Sequence, residues 1–328
     1  MSDKTSLPPI DFVTAAAEDY EEVMSISVGI YNGTDQLPFR YHAWLKDPQR
    51  RMILAKCEGK VVGFVAIILV DDGTTAVLES LRVAPWLGGR GVAGRIQKFC
   101  IDTLHSDHPE VKRVRQTRAE NPPASMLTKY KVIGDSKAVI ATLIPADQLE
   151  SAIKLLESRL HNLEISRNLS VLGPEEILTF LEESKTREEL LPGGLLVQAW
   201  LPLTTCKSNL NILLRRKIVW IYSHPGDSDS GPHAYLEGFL SLGTPPYPVA
   251  YAEGIHLLEI DLFGNDPSCA KVHVLQQLKM NVPSLPAGGG IICVMYTDET
   301  LRTELEQLFE GLTPFHIVRE QMILDMEI

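Results

Sequence analysis

The segment Gly89-Arg-Gly-Val-Ala-Gly94 spaces its glycines as G-x-G-x-x-G. Glycines let a backbone turn approach a diphosphate closely, and the free amides at the start of a following helix bind anionic oxygens. Arg90 and Arg95 add cations beside that turn, and Lys98 follows within one helical turn. Glu79, on the strand that leads into the loop, has the chemistry of a proton acceptor. Together these residues suit a diphosphate-bearing co-substrate with acid–base chemistry next to it.

Two kinds of ligand use such a loop, and the neighbouring elements must choose between them. A dinucleotide site needs a βαβ unit and an acidic residue about 20 positions on, for the ribose. Here the preceding elements read as an antiparallel hairpin. Met52–Cys57 and Val61–Val70 are strands joined at Glu58-Gly59-Lys60, and Ala76–Val83 is the next strand. Alternation predicts Glu79, Leu81 and Val83 on one face. After the loop, Val92, Ile96, Phe99 and Leu104 recur at helical spacing. The strand Val111–Thr117 then carries Lys112, Arg113 and Arg115 where a ribose-binding acid belongs. Both points count against a nicotinamide or flavin cofactor.

The remaining pattern predicts a strand at Ile10–Val13, helices at Asp19–Ile26, Tyr41–Leu45, Pro122–Tyr130 and Ala146–Asn162, and a strand at Ala138–Ile144. Beyond them come strands at Leu196–Ala199, Ile218–Tyr222, Leu236–Leu242, His256–Leu262, Ile291–Tyr296 and His316–Met326. Two more helices fall at Cys269–Met280 and Glu299–Gly311. Strands and helices do not alternate regularly, so the class is α+β: a mixed, largely antiparallel sheet flanked by helices. Gly63-Phe64-Val65 precedes Leu78-Glu79 much as Gly238-Phe239-Leu240 precedes Leu258-Glu259, which suggests a degenerate internal repeat. A length of 328 residues fits about two domains of roughly 150 residues.

Composition narrows the partners. A formal net charge of −11 gives no electrostatic reason to bind nucleic acid or an anionic membrane. The polar N-terminus does not read as a secretory signal. The longest apolar run, Val61–Leu69, is too short for a bilayer span of about 20 residues. Cys57, Cys100, Cys206, Cys269 and Cys293 form no Cys-x-x-Cys pair and read as reduced thiols in the cytoplasm. The histidines lack metal-ligand spacing, so no metal is expected.

The run from Leu78 to Gly94 resembles the main motif of the GCN5-related N-acetyltransferase (GNAT) superfamily. That motif is a strand, Val-x-Pro, Arg/Gln-x-x-Gly-x-Gly/Ala, then a helix. The correspondence falls on Gly88, Gly91 and Ala93, with Gly88 where the family has Arg or Gln. This resemblance covers roughly Ile10–Ile144. The words Arg40-Tyr-His-Ala-Trp44, Leu81-Arg-Val-Ala-Pro-Trp86 and Gly91-Val-Ala-Gly94 are similar to a vertebrate acetyltransferase group that includes fish enzymes acting on histidine. That likeness spans the whole chain.

The resemblance implies a GNAT domain over 1–145 and a second domain over 146–328. It implies acetyl-CoA as co-substrate and a small-molecule amine, L-histidine, as acceptor, giving Nα-acetyl-L-histidine. Another amine, a peptide N-terminus, or acetyl-CoA binding without catalysis are the alternatives. The coenzyme would be held by Gly88, Gly89, Arg90, Gly91, Val92, Ala93, Gly94 and Arg95, by the backbone of Leu81, Arg82 and Val83, and by Asn121. In the family a bulge exposes the amides of that strand. Glu79 would be the base. Tyr130, four residues before Gly134, would be the acid, with Thr128 the alternative; the interval from Asn121 to Tyr130 is longer than the family's. Tyr31, Asp35, Arg40, Tyr41, His42 and Trp44 would line the acceptor side. Trp220, Tyr222 and His233 are poorer candidates.

Overall fold

Glu58 and Gly59 take left-handed backbone angles, φ 51° and 78°, and close the tight turn of a long hairpin. The computed structural model describes residues 9–161, 169–224 and 238–328, apart from the side chains of 184–186. Contacts divide the chain into two units: residues up to Gln116 together with Asp325–Ile328, and Thr117–Leu324.

The first unit runs β1 (Asp11–Thr14), α1 (Tyr20–Ser25), α2 (Leu37–Trp44), β2 (Arg50–Cys57), β3 (Lys60–Val70), β4 (Thr75–Val83), α3 (Val92–Asp107) and β5 (Arg113–Ala119). The sheet order is β1-β2-β3-β4-β5. Its first three pairings are antiparallel and the last, β4 with β5, is parallel. The helix between the two parallel strands is α3. It packs so close to β3 that a Cβ on Gly63 would lie 2.5 Å from Ile96 Cδ1 and 3.2 Å from Arg82 O, so a side chain there would push the Ile96 tip aside. On the opposite face, the Tyr41 ring of α2 sits 6.0 Å from that of Phe64.

The basic residues that counted against a ribose site have structural partners. Arg115 is buried and donates to Asp71 (2.7 Å) and Asp325 (2.8 Å), and Arg113 donates to Asp325 (2.6 Å). These pairs hold the last residues of the chain into the first unit.

The second unit runs α4 (Ala124–Leu127), β6 (Lys131–Ile144), α5 (Leu149–Leu160), β7 (Leu169–Val171), α6 (Pro174–Glu182), α7 (Ser184–Leu190), β8 (Leu195–Gln198), β9 (Leu201–Thr204) and α8 (Leu210–Arg215). It continues with β10 (Val219–Ser223), β11 (Phe239–Gly243), β12 (Tyr247–Pro248), β13 (Ile255–Phe263), α9 (Pro267–Asn281), β14 (Gly290–Thr297), α10 (Arg302–Leu308), β15 (Thr313–Phe315) and β16 (Glu320–Glu327), whose end belongs to the first unit. Its strands follow the order β6-β14-β13-β11-β10-β7, with β12 on β13 and β15 on β6; β8 and β9 form a separate hairpin. One core joins α5, α9 and α10 to the sheet through Leu156, Leu258, Val274, Leu278, Cys293 and Leu305. A second lies on the other face, around Val139, Tyr247, Ile292, Val294 and Tyr296.

The two units share a pairing pattern. In the second, β7/β10, β10/β11 and β11/β13 are antiparallel and β13/β14 is parallel, with α9 between the parallel strands. Thr75 of β4 faces Arg113, and Ile255 of β13 faces Gly290, so the first residue of each central strand holds the same place. That alignment sets Glu259 where the first unit has Glu79.

One expected helix is much shorter than its sequence pattern. Pro122–Tyr130 yields only α4. Asn121 is left-handed (φ 57°), and Pro123, which caps α4, has ψ 140°. Pro123 disfavours helical geometry at Pro122 just before it.

Candidate active site

β4 does not alternate cleanly, and the break lies at the predicted site. Ala66 faces Glu79 and Phe64 faces Arg82, which leaves Ser80 and Leu81 opposite Val65 alone. Ser80 is left-handed, φ 54°. This is a β-bulge. Phe64 and Ala66 share a face of β3, so their partners Arg82 and Glu79 share one too. The expectation that Glu79, Leu81 and Val83 share a face is therefore corrected, because the extra residue shifts the alternation.

That face carries two buried ion pairs. Arg50 donates through Nη1 to Glu79 Oε2, and both side chains are only 4 % exposed. The Arg50 guanidinium lies 4.2 Å over the Trp44 ring. Arg82 Nη2 donates to Asp35 Oδ1 at 2.6 Å, with side chains 5 % and 8 % exposed. The same oxygen accepts the Leu37 amide at 3.2 Å, at the start of α2. Asp35 Oδ2 is buried with no hydrogen-bond partner among the described residues. Glu79, Arg82, Asp35 and Trp44 are thus brought together, with Arg50 added. No local sequence signal marked Arg50; only the β2–β3–β4 pairing shows that it reaches Glu79.

β4 and β5 pair only over Thr75–Val77 with Arg113–Arg115, although β4 runs on to Val83. The bulged end of β4 is therefore unpaired on its β5 side. Directly after it stands the glycine loop. Gly89 and Gly91 are left-handed, φ 73° and 79°, and Gly91 caps α3 without any side-chain hydrogen bond. The first amides of a helix have no intrahelical acceptor. Those of Val92, Ala93 and Gly94 therefore suit an anion, with the positive end of the helix dipole behind them. Arg90 and Arg95 are exposed beside them. These residues fit a coenzyme diphosphate. Lys98 is exposed and pairs with Asp102 along the helix (2.7 Å).

The other predicted positions differ in kind. Tyr41 is fully buried and donates its hydroxyl to Ala16 O (2.7 Å); burial, with Asp19 and Glu18 nearby, pushes its pKa up to about 12. Tyr31 is exposed and left-handed. Arg40 lies 5.4 Å over the Phe39 ring, and His42 stacks on Tyr20 at 5.0 Å. Asn121, Thr128 and Tyr130 belong to the second unit, where Tyr130 is buried and the other two exposed. Trp220 and Tyr222 are buried on β10. His233 lies outside the described residues.

Among its described residues, the second unit lacks the bulge, the unpaired strand end and the glycine loop of this site. β11 and β13 pair without a bulge, and β13 stays paired to β14 from Ile255 to Asp261. Gly264, Asn265 and Asp266 replace the glycine loop. Asp266 spends its own carboxylate on the start of α9, accepting the Cys269 amide at 2.7 Å. A carboxylate there occupies and repels the place a phosphate would take.

Residues 15–128 match the acetyltransferase (GNAT) family model, and 166–298 match the model described as histidine N-acetyltransferase, C-terminal. A histidine N-acetyltransferase of Xenopus tropicalis is 34 % identical, over 97 % of this chain and 95 % of that protein. One from Oreochromis niloticus is 31 % identical, over 95 % and 90 %. Among solved structures, a tandem GNAT protein from the clavulanic acid biosynthesis pathway superposes with a TM-score of 0.55 at 12 % identity, over 97 % and 98 % of the chains. A GCN5-related N-acetyltransferase from Sphaerobacter thermophilus gives 0.55 at 11 %, over 98 % and 96 %. The structural matches, at such low identity, speak to the fold alone.

Proposed function

The chain belongs to the histidine N-acetyltransferase family within the GNAT superfamily and is an N-acetyltransferase, and we propose that it transfers the acetyl group of acetyl-CoA to the α-amine of free L-histidine. The observation that carries the coenzyme reading is the uncapped start of α3 behind left-handed Gly89 and Gly91, directly after the bulged, unpaired end of β4. The acceptor reading rests on the relatives. No helix among the described residues is long and apolar enough to cross a membrane, and a cytoplasmic location is part of the proposal.

When bound, acetyl-CoA supplies the acetyl group as an activated thioester. Gly88 to Arg95 hold the diphosphate. The backbone of Leu81, Arg82 and Val83 faces the acyl end, where its amides donate to the carbonyl oxygen as charge builds on it. Glu79 accepts the ammonium proton, directly or through water, at the oxygen that Arg50 does not engage. The resemblance, and not the spacing, gives Tyr130 and Asn121 their roles of proton donor and coenzyme contact. Asp35 Oδ2 has no donor among the described residues and suits a cationic or N–H group of the acceptor. Tyr31, Arg40 and Trp44 form the rest of the acceptor wall, with the fully buried Tyr41 behind it. The second unit is read as a degenerate repeat that no longer binds coenzyme.

Incubation with acetyl-CoA and a panel of amines, followed by thiol release and mass spectrometry, tests the function. Nα-Acetyl-L-histidine is the expected product. Turnover of lysine or spermidine without histidine removes the acceptor assignment, and turnover of no amine removes the transferase assignment. Glu79 is tested separately. Where the amine is protonated a base is needed; near and above the amine's own pKa it is not. Glu79→Gln should therefore lose about 100-fold in kcat at the acidic end of the profile, within the usual range for a positioned base, and much less at the alkaline end. A uniform loss across pH would make Glu79 a structural partner of Arg50 only.

A further inference from the structure

The second unit holds a cavity of about 260 Å³. Its walls include Lys137 in the middle of β6, Leu262 and Phe263 at the end of β13, and Gln321 and Ile323 of β16. It opens at the carboxyl end of β13, the strand that matches β4. Ligands bind at that end of parallel strands in open α/β sheets. The volume is below the roughly 300–1,000 Å³ of a pocket for a drug-sized molecule. That leaves room for a small metabolite.

Three buried polar atoms in and beside this cavity lack hydrogen-bond partners among the described residues: Lys137 Nζ, Asp261 Oδ1 and Gln321 Oε1. Lys137 and Asp261 approach to 3.8 Å, too far for a hydrogen bond. The ammonium lies 3.7 Å from the centroid of the Phe263 ring, with its three donors unspent. Asp261 uses only Oδ2, which accepts the Ala199 amide at 2.6 Å. Gln321 uses only Nε2, which donates to Ala199 O at 2.6 Å and fixes the amide's orientation. Burial lowers the pKa of Lys137 and raises that of Asp261, so each charge is held in an environment that penalises it. Unsatisfied buried groups are costly, and charged ones most of all. An oxyanion entering the cavity would satisfy Lys137. Asp135 and Glu189, both exposed, add negative charge at the rim.

A buried cation with spare donors, a spare carbonyl acceptor and an acidic rim match a small zwitterion. We propose that the second unit binds a free α-amino acid in this cavity, with its carboxylate on Lys137 Nζ and its ammonium toward Gln321 Oε1 and the acidic rim. The site is separate from the coenzyme loop and does not rest on the proposed reaction. It makes the second unit an amino-acid-binding module that has kept a pocket and lost the coenzyme.

The test is methyl NMR of the full chain, reading Val197, Leu262 and Ile323, which line the cavity. L-Alanine and L-histidine should shift all three in a saturable way. Histamine lacks the carboxylate and N-acetyl-L-histidine lacks the ammonium; each should bind at least ten-fold more weakly. Lys137→Met combined with Asp261→Asn, which removes both buried charges together, should weaken L-alanine binding at least ten-fold. If that variant does not fold, Gln321→Leu replaces it, with at least a three-fold loss expected. Absence of shifts at the three methyls, equal binding of histamine, or unchanged binding in the folded variant overturns the proposal. Turnover assays do not enter this readout, so its failure and that of the proposed reaction are distinguishable.

Discussion

Replacing Gly91 with valine should weaken coenzyme A binding by roughly 5- to 150-fold. Gly91 has φ 79°, and a Cβ added there would meet nothing within 4 Å. The expected loss is therefore not a clash within the protein. It arises because the free valine loop relaxes out of the left-handed region and must re-enter it on binding, at about 1–3 kcal/mol, where 1.4 kcal/mol is a factor of ten. The side chain would also stand where the diphosphate approaches the start of α3. Calorimetry with coenzyme A reads the affinity, and the melting temperature reads the strain. Gly91→Ala should fall between wild type and valine. Unchanged affinity in the valine variant would mean that the loop is not the coenzyme site.

Arg82→Met should destabilise the first unit by about 3–5 kcal/mol, the usual penalty for removing one partner of a buried ion pair. Asp35 would keep only the Leu37 amide as a donor. Both side chains are more than nine-tenths buried, so solvent screening does not soften the loss. Asp35→Asn in the same chain removes the stranded charge and should restore most of the stability. Urea denaturation of the two variants measures the difference. A loss below about 1 kcal/mol in the single variant would mean that the pair is not closed in solution. The pair also ties the bulged end of β4 to the segment entering α2, so the single variant should raise KM for the amine more than it lowers kcat.

Much of the first unit was legible because its signals are local. Apolar runs bounded by turns mark β2, β3 and β4, Glu58-Gly59 marks the turn, and the glycine spacing with Val92, Ile96 and Leu104 marks the loop and α3. The bulge was not legible from the residues. Serine carries no preference for a left-handed angle, and only the β3 register shows that Ser80 is extra. Nor was Arg50, whose carboxylate partner is set by pairing across three strands. In the second half, β13, α9 and β14 fall within two residues of the expected His256–Leu262, Cys269–Met280 and Ile291–Tyr296. The short elements β7, β9 and α8 were missed because a few residues define no period, and α6 and α7 were missed although longer. The cavity was invisible for a different reason. Lys137, Asp261 and Gln321 lie far apart in the chain, and only the sheet brings them together.

The expected match of Gly63 with Gly238 is out of register: Gly63 faces the fourth residue after Glu79, and Leu240 faces the fourth after Glu259. Leu78-Glu79 and Leu258-Glu259 do correspond, as do the pairings of the two units. Yet the bulge, the unpaired strand end and the uncapped helix occur in one copy, and Asp266 caps the helix of the other. Glu79 pairs with an arginine. Its counterpart Glu259 instead accepts hydrogen bonds from Tyr247 (3.0 Å) and Tyr296 (2.7 Å) in the core. The same strand position thus serves an ion pair in one unit and a sealed hydrogen-bond cluster in the other.

The most direct test is the stoichiometry and place of coenzyme binding. Equilibrium dialysis with coenzyme A should give one equivalent per chain, with hydrogen-exchange protection at 88–95 and none at 264–270. Two equivalents, or protection at 264–270, would contradict the account.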